Sequence, residues 1–382
     1  MTENSATWDT LDWSALDRLR DTFLAGKPAG TSYWTSRSDL ANYDFTFAQR
    51  IAWKWDAVLR ELKLRGWMPP QGPLIDWGCG SGIAGRRVIE FFSENIFDCL
   101  CVFDRSPLAM EFAREAAREA FPSLRVESYP HPIPRPQDHP LPSDGRGVGG
   151  EGPDREFIVP PQTGAQSIAL HKSDARSNAP RSDDAPIGTL VVSHVLNELD
   201  EPGGRALRQV IDLADAVLWV EPGTYADSRS LISMREALRE TFDVIAPCTH
   251  QAACGLLTPE NERHWCHHFA APPAGIMANS NWVRFAQRAG IDLRSLPYSF
   301  IVLERRGLRD PVPGLLPEGS SRIIGEPRFY KGFAKIFNCE ADGVRDLTLQ
   351  KRDAPELFKA LRNKDAMPFQ QWTVSGGRIQ PS

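Results

Sequence analysis

A chain of 382 residues with 44 Lys and Arg against 49 Asp and Glu carries a formal charge of −5, and 41% of its residues are hydrophobic. That describes an ordinary globular chain, long enough for two or three domains at about 100–200 residues each, and the charge argues against whole-molecule attraction to DNA or any other phosphate backbone. Seven Cys are too sparse for a disulfide-stapled scaffold. No apolar run approaches the roughly 18–20 residues that span a bilayer, and the acidic, polar start resembles neither a signal nor a transit peptide. The expectation is a soluble cytoplasmic protein in a reducing compartment, without membrane contact.

In chain order, residues 9–65 read as helical. Asp9 or Thr10 is placed to cap a first helix with Leu11, Leu16 and Leu19 on its apolar face. A longer helix from about 42 to 65 carries Phe45, Phe47, Ile51, Trp55, Val58, Leu59 and Leu62 at helical spacing. The pattern then alternates: strands at 73–77, 99–103 and 124–128, with helices at 83–92 and 107–120. Residues 130–186 interrupt it with 11 Pro and 6 Gly among 57 residues and Phe157 as the lone aromatic, a composition that cannot bury enough apolar surface to offset backbone ordering and predicts a disordered insertion. Strands follow at 189–193, 216–220, 242–245 and 299–304, with helices at 204–214, 228–241 and 281–289. Such alternation predicts an α/β fold with a doubly wound, mainly parallel sheet and helices on both faces. Beyond it, strand-like stretches at 333–339 and 344–349 and a short helix at 355–362 suggest a small β unit. The division expected is an N-terminal helical region (1–70), an α/β domain (71–304) with a Cys-rich loop at 246–280, a basic C-terminal unit (305–368) and a tail (369–382).

The turn after the first strand reads Asp76-Trp77-Gly78-Cys79-Gly80-Ser81-Gly82. Closely spaced glycines let backbone approach a ligand that a Cβ would exclude, and the helix that follows offers unpaired N–H groups. The next strand ends in Val-Phe-Asp at Asp104, where a carboxylate suits a ribose diol. Dinucleotide sites space their glycines G-x-G-x-x-G; the D-x-G-x-G-x-G spacing here resembles motif I of class I S-adenosylmethionine (SAM) methyltransferases. That resemblance implies a cofactor site of Asp76, Gly78, Gly80, Gly82 and Asp104. It extends to Ser193 and His194, because the edge of the strand ending there faces the transferred methyl in this fold. The Asn/Asp-Pro-Pro-Tyr/Phe motif of amino-methylating enzymes is absent. Methyl transfer needs chiefly alignment, and His194 reads as a loop or packing residue ahead of a general base, so no catalytic residue is singled out.

Cys79, Cys99 and Cys101 read as small packing residues. Cys248, Cys254 and Cys266 are spaced C-x5-C-x11-C among His250, His264, His267 and His268 in a stretch of little periodicity, and Cys339 on a C-terminal strand is a candidate fourth thiol. Zinc and iron–sulfur clusters both take four thiolates, and this spacing selects neither. The glycine loop, Ser-His-Val-Leu-Asn-Glu-Leu (193–199), Val-Glu-Pro-Gly-Thr (220–224), Ala-Pro-Cys-Thr-His (246–250), His-Trp-Cys-His-His-Phe (264–269) and the late Cys together resemble one family, the methyltransferase-like assembly factors of the small ribosomal subunit, known from mitochondria and also bacterial. The resemblance covers roughly 40–129 and 187–362. It implies SAM binding, a [4Fe–4S] cluster on Cys248, Cys254, Cys266 and Cys339 with zinc as the alternative, and association with small-subunit rRNA. Mitochondrial members are regarded as having lost turnover and often carry a degraded loop; the loop here is intact. Residues 322–378 hold 11 Lys and Arg against 7 Asp and Glu, and Arg328, Tyr330, Lys331 and Lys335 interleave cations with an aromatic as RNA contacts do. Three readings remain: a methyltransferase acting on rRNA, an assembly factor that binds SAM without turnover, and a small-molecule methyltransferase.

Overall fold

The computed structural model describes residues 6–25, 34–129 and 187–380; the predicted insertion at 130–186 lies outside them. The chain runs through helices α1 (Trp13–Ala25), α2 (Arg37–Phe45) and α3 (Phe47–Leu64), then strand β1 (Gly72–Trp77), α4 (Ile83–Phe92), β2 (Phe97–Phe103), α5 (Pro107–Ala120) and β3 (Val126–Ser128). After the undescribed segment come β4 (Ile187–Ser193), α6 (Glu201–Leu213), β5 (Ala214–Pro222), α7 (Tyr225–Leu238), β6 (Phe242–Ala246), β7 (His268–Ala270), α8 (Ser280–Ala289) and β8 (Leu296–Arg305). A second sheet is built from β9 (Ser321–Ile323), β10 (Arg328–Tyr330), β11 (Phe333–Glu340), β12 (Gly343–Gln350), β13 (Phe369–Gln370), β14 (Val374–Ser375) and β15 (Arg378–Ile379), with α9 (Pro355–Asn363) against it.

The first sheet has the order β3-β2-β1-β4-β5-β8-β6, parallel from β3 to β5 and antiparallel where β8 enters between β5 and β6, with β7 on β8. This is the doubly wound, mainly parallel architecture that the alternation predicted. Its inner strands β1, β4, β5 and β8 are buried on both faces, which is why they read as continuous apolar runs. Leu74, Val102, Val191 and Leu218 pack on α3, α4 and α5, while Ile75, Phe103, Val192 and Trp219 pack on α6 and α7. The order reverses between β1 and β4, and ligands of open α/β sheets lie outside the strand ends at such a switch point.

Two local expectations change. The expected helix from 42 to 65 is broken at Thr46 (φ −124°, ψ −84°), whose hydroxyl donates to the Asn42 carbonyl at 2.6 Å and ends α2. The cap of α1 is neither Asp9 nor Thr10 but Asp12, whose carboxylate accepts from the Ser14 and Ala15 N–H groups at 3.0 Å each. The tail also differs from expectation, because residues 369–379 contribute three short strands to the second sheet.

The second sheet is tied to α3 through one buried carboxylate. Glu61 Oε1 accepts from Arg65 Nε (3.0 Å) and Nη2 (2.9 Å) on its own helix and from Arg322 Nη1 (2.5 Å) on β9. Arg65 spends its other donors on the carbonyls of Ile245 (2.7 Å), Pro247 (2.8 Å) and Cys248 (3.1 Å). Removing the carboxylate would leave two buried guanidiniums without a counter-charge, so Glu61→Ala should cost roughly 3–5 kcal/mol. Urea unfolding measures this, and a loss below about 1 kcal/mol would show that the clamp is not structural.

Candidate functional site

The carboxyl ends of β1, β2, β4 and β5 meet around the glycine loop. Gly78 (φ +73°) donates to the Phe103 carbonyl at 2.7 Å, and a Cβ there would stand 2.6 Å from Val195 Cγ1. The loop and the turn after β4 are therefore in contact, and only glycine permits it. Gly82 (φ +79°) caps α4, and a Cβ there would lie 2.8 Å from Ala113 on α5. Asp104 takes the Gly80 N–H at 2.9 Å on one oxygen and the Ser106 N–H at 2.8 Å on the other. Burial raises its pKa against the pull of those two N–H groups. Asp76 lies beneath the loop, 1% exposed. Its Oδ2 accepts from the Gly85 N–H at 3.0 Å, while Oδ1 has no partner among the described residues. Burial pushes its carboxyl up to about 7.

Across the crevice, Ser193 and His194 close the end of β4. His194 adopts φ +57°, a left-handed backbone that costs a non-glycine residue about 1–2 kcal/mol. Its Nε2 lies 3.1 Å from Lys54 Nζ on α3, and its Nδ1 lies 3.2 Å from Ser193 Oγ, which accepts from Trp55 Nε1 at 3.0 Å. At the end of β5, Glu221 is fully buried. Its Oε1 accepts from Trp219 Nε1 (2.6 Å), Val195 N (3.1 Å) and Leu196 N (3.3 Å), so it pins the turn that carries His194; burial lifts this carboxyl to about 8.

A second constellation forms where the Cys-rich loop meets the C-terminal sheet. All seven Cys are free thiols. Cys248, Cys254, Cys266 and Cys339 line one cavity of about 30 Å³ with His250, Arg235 and Arg322. Arg235 and Arg322 are each 2% exposed. His268 accepts on Nδ1 from Arg322 Nη2 at 3.1 Å. Because a guanidinium only donates, the imidazole proton sits on Nε2 and points at Cys266 Sγ, 3.7 Å away. His250 Nε2 stands 3.6 Å from Cys339 Sγ. Burial first, and then the neighbouring thiols, push Cys254 up to about 11 and Cys266 and Cys339 further still. Among the described residues no three His, Cys, Asp or Glu side chains are arranged to hold a metal ion. The other three sulfurs behave as packing residues: Cys79 belongs to the core beneath the loop, and Cys99 and Cys101 lie 3.7 Å apart on β2.

On the C-terminal sheet the register sets Arg328 opposite Lys335 and Tyr330 opposite Phe333. Those four share one face of a hairpin with Lys331 at its tip, and the Tyr330 and Phe333 rings stack 4.8 Å apart. Arg328 is paired with Asp346. Among the described residues no helix is long and apolar enough to cross a membrane.

The family described as mitochondrial small ribosomal subunit Rsm22 matches residues 164–366, more than half of the chain. The chain belongs to that family. The match begins inside 130–186, upstream of the resemblance at 187–362, and does not include 40–129, which the resemblance also covered. No curated protein matches significantly. Solved structures similar to this chain include a magnesium protoporphyrin IX methyltransferase from Synechocystis PCC 6803 with bound SAM (12% identity, 80% of this chain and 100% of that one, TM-score 0.34). A second is a putative RNA methyltransferase from Pyrococcus horikoshii (7% identity, 78% and 100%, TM-score 0.32). The fold assignment rests on the strand order above rather than on these distant similarities.

Members of the site that sequence reasoning passed over are Lys54, Glu221, Arg235 and Arg322. Glu221 stood within a quoted motif without a role. Lys54 carried a faint signal, a cation between Trp53 and Trp55 and four residues after Arg50, which stacks like charges on one helix face.

Because the folded protein holds the Asp76 proton more tightly than the unfolded chain does, stability should be greatest below the ordinary carboxylate range and fall as pH rises through about 7. Asp76→Asn keeps an acceptor for Gly85 and removes the charge. It should match wild type near pH 4 and be more stable by roughly 1–3 kcal/mol near pH 8.5. Urea titrations at both pH values check this, and equal or lower stability of the variant near pH 8.5 would show that the carboxyl is not held against its charge.

Proposed function

We propose that this protein binds SAM in the switch-point crevice, carries a [4Fe–4S] cluster on Cys248, Cys254, Cys266 and Cys339, and methylates a component of the small ribosomal subunit in the cytoplasm. The observation that carries the SAM reading is the glycine loop with its two carboxylates. Asp104 is held by the Gly80 and Ser106 N–H groups at the tip of β2, in reach of a ribose diol, and the unpartnered Oδ1 of Asp76 lies under the loop where a donor or cation would satisfy it. The residues present fit this cofactor, which supplies an electrophilic methyl group. Gly78 and Gly80 give it backbone to lie against, Ser193 and His194 face it across the crevice, and Val195 against Gly78 closes the floor.

The cluster reading is supported by donor chemistry. Four free thiols line one space, and burial disfavours the thiolates of Cys254, Cys266 and Cys339 unless a polynuclear cation shares it. Arg235 and Arg322 stand ready to offset the charge that remains, with His268 donating to one sulfur. Association with the small subunit is supported by the family, and the Tyr330–Phe333 stack beside Lys331 and Lys335 suits an unpaired base and its phosphate.

Two measurements test these readings separately. Calorimetry with SAM should show binding that Asp104→Ala weakens at least tenfold, and labelled SAM should then transfer methyl to immature small subunits. Binding without transfer would leave a non-catalytic assembly factor, and no binding would remove the cofactor. Anaerobically purified protein should contain about four iron and four sulfide per chain and lose both in Cys339→Ser; stoichiometric zinc without iron would overturn the cluster.

A further inference from the structure

His194 is held in a strained left-handed backbone where β4 ends, beside the switch point, and its imidazole reaches a lysine rather than a carboxylate. Among the described residues Lys54 has no carboxylate within ion-pair distance. Its ammonium is disfavoured by burial first and by Arg50 one helical turn away, against the weaker pull of Glu221 at the end of β5 and Asp227 in the first turn of α7; together these bring it down to about 7. Burial, Lys54 and Arg50 likewise keep His194 well below its ordinary range, so the imidazole is neutral.

The hydrogen bonds then admit two proton arrangements. Trp55 Nε1 only donates, so it fills one lone pair of Ser193 Oγ and leaves that hydroxyl its own hydrogen and a second lone pair. In one arrangement Ser193 donates to His194 Nδ1 and Nε2–H donates to a neutral Lys54 amine. In the other the Lys54 ammonium donates to Nε2 and Nδ1–H donates to Ser193. The two differ by one proton, and passing between them moves that proton from Ser193 Oγ at the crevice to Lys54 Nζ on α3.

We propose that Ser193, His194 and Lys54 are a proton relay serving the crevice, and that the group methylated there is a neutral N–H or O–H, which must shed a proton as it accepts the methyl. This rests on the methyl-transfer reading above. The acceptor's lone pair forms the new bond to the methyl carbon, and the carbon–sulfur bond of the sulfonium breaks with its electron pair going to sulfur. The acceptor proton passes to Ser193 Oγ, the Ser193 proton to His194 Nδ1 and the His194 Nε2 proton to Lys54 Nζ. Tertiary amines and thioethers, which have no proton to lose, have no use for such a chain. Ser193 is the member placed to meet substrate; His194 and Lys54 act through it.

The relay has a signature independent of turnover. In protein labelled with ¹⁵N-histidine, His194 should change from the Nδ1–H to the Nε2–H tautomer as pH rises, with a midpoint near 7. Lys54→Arg keeps the cation but cannot deprotonate near that pH, so it should hold the Nδ1–H tautomer throughout. In that variant SAM affinity should stay within about threefold of wild type, while methyl transfer to immature small subunits falls at least about 100-fold. One tautomer across the range in wild type, or transfer undiminished in Lys54→Arg, would overturn the relay. Wild type that binds no SAM, or binds it and transfers nothing, would overturn the methyl-transfer reading and with it the relay's role, whatever the tautomer does. The first failure is thus told apart from the second.

Discussion

The carboxylate of Glu61 is the point on which both halves of the molecule depend. One oxygen accepts from Arg65, whose remaining donors hold the carbonyls of Ile245, Pro247 and Cys248, and from Arg322, whose other nitrogen sets the tautomer of His268 beside Cys266. A single buried acid therefore positions the start of the Cys-rich loop, the strand that carries the second sheet, and the imidazole facing one thiol. Hydrophobic contact alone would not define this joint. The cluster that bridges the two sheets is small, with Ile232, Leu256, Ile324 and Cys339 at its centre, and apolar packing tolerates sliding where a shared hydrogen-bonded charge does not.

Helix α3 is the common scaffold. Lys54 and Glu61 are seven residues apart, so they lie on nearly the same stripe about 10 Å along the axis. The same helix thus meets the crevice at one end and the thiol cavity at the other. Its burying residues, Trp55, Val58, Leu59 and Leu62, are each fully inaccessible, which fixes its rotation on the sheet. Both constellations thus rest on one element packed against β8 and β7.

What the sequence revealed follows from where its signals are local. Helices α4 and α5 were legible to the residue because a glycine turn and Ser106 capping set their starts and the apolar period their extent. The glycine loop and Asp104 were legible because turn chemistry and strand ends are written in adjacent residues. The break at Thr46 was not, because one hydroxyl bonded back to Asn42 interrupts a period that continues on both sides. Strands β9, β10 and β13–β15 are two or three residues long and draw their existence from partners, not from alternation. Glu61 and Lys54 were hidden for a different reason. A charge on a helix reads as a solvated face until the fold brings up a partner 261 residues away, as Arg322 is to Glu61, or 140 away, as His194 is to Lys54.

The ionisable groups around the crevice bear on whether this chain keeps a ligand-binding role or only a shape. Asp76 and Glu221 are carboxyls that burial lifts to about 7 and about 8, Lys54 is an amine brought down to about 7, and His194 pays for a left-handed backbone. Each opposes folding, and the cost at Asp76, Glu221 and Lys54 would be relieved by an uncharged residue of similar size, such as Asn, Gln or Met. Strain and misplaced charge of this kind gather where a protein meets a ligand, because there the cost is offset on binding. A crevice serving purely as a packing surface gains nothing from four such groups around one glycine loop. The arrangement therefore supports the proposed ligand at the glycine loop over a fold retained for its outline.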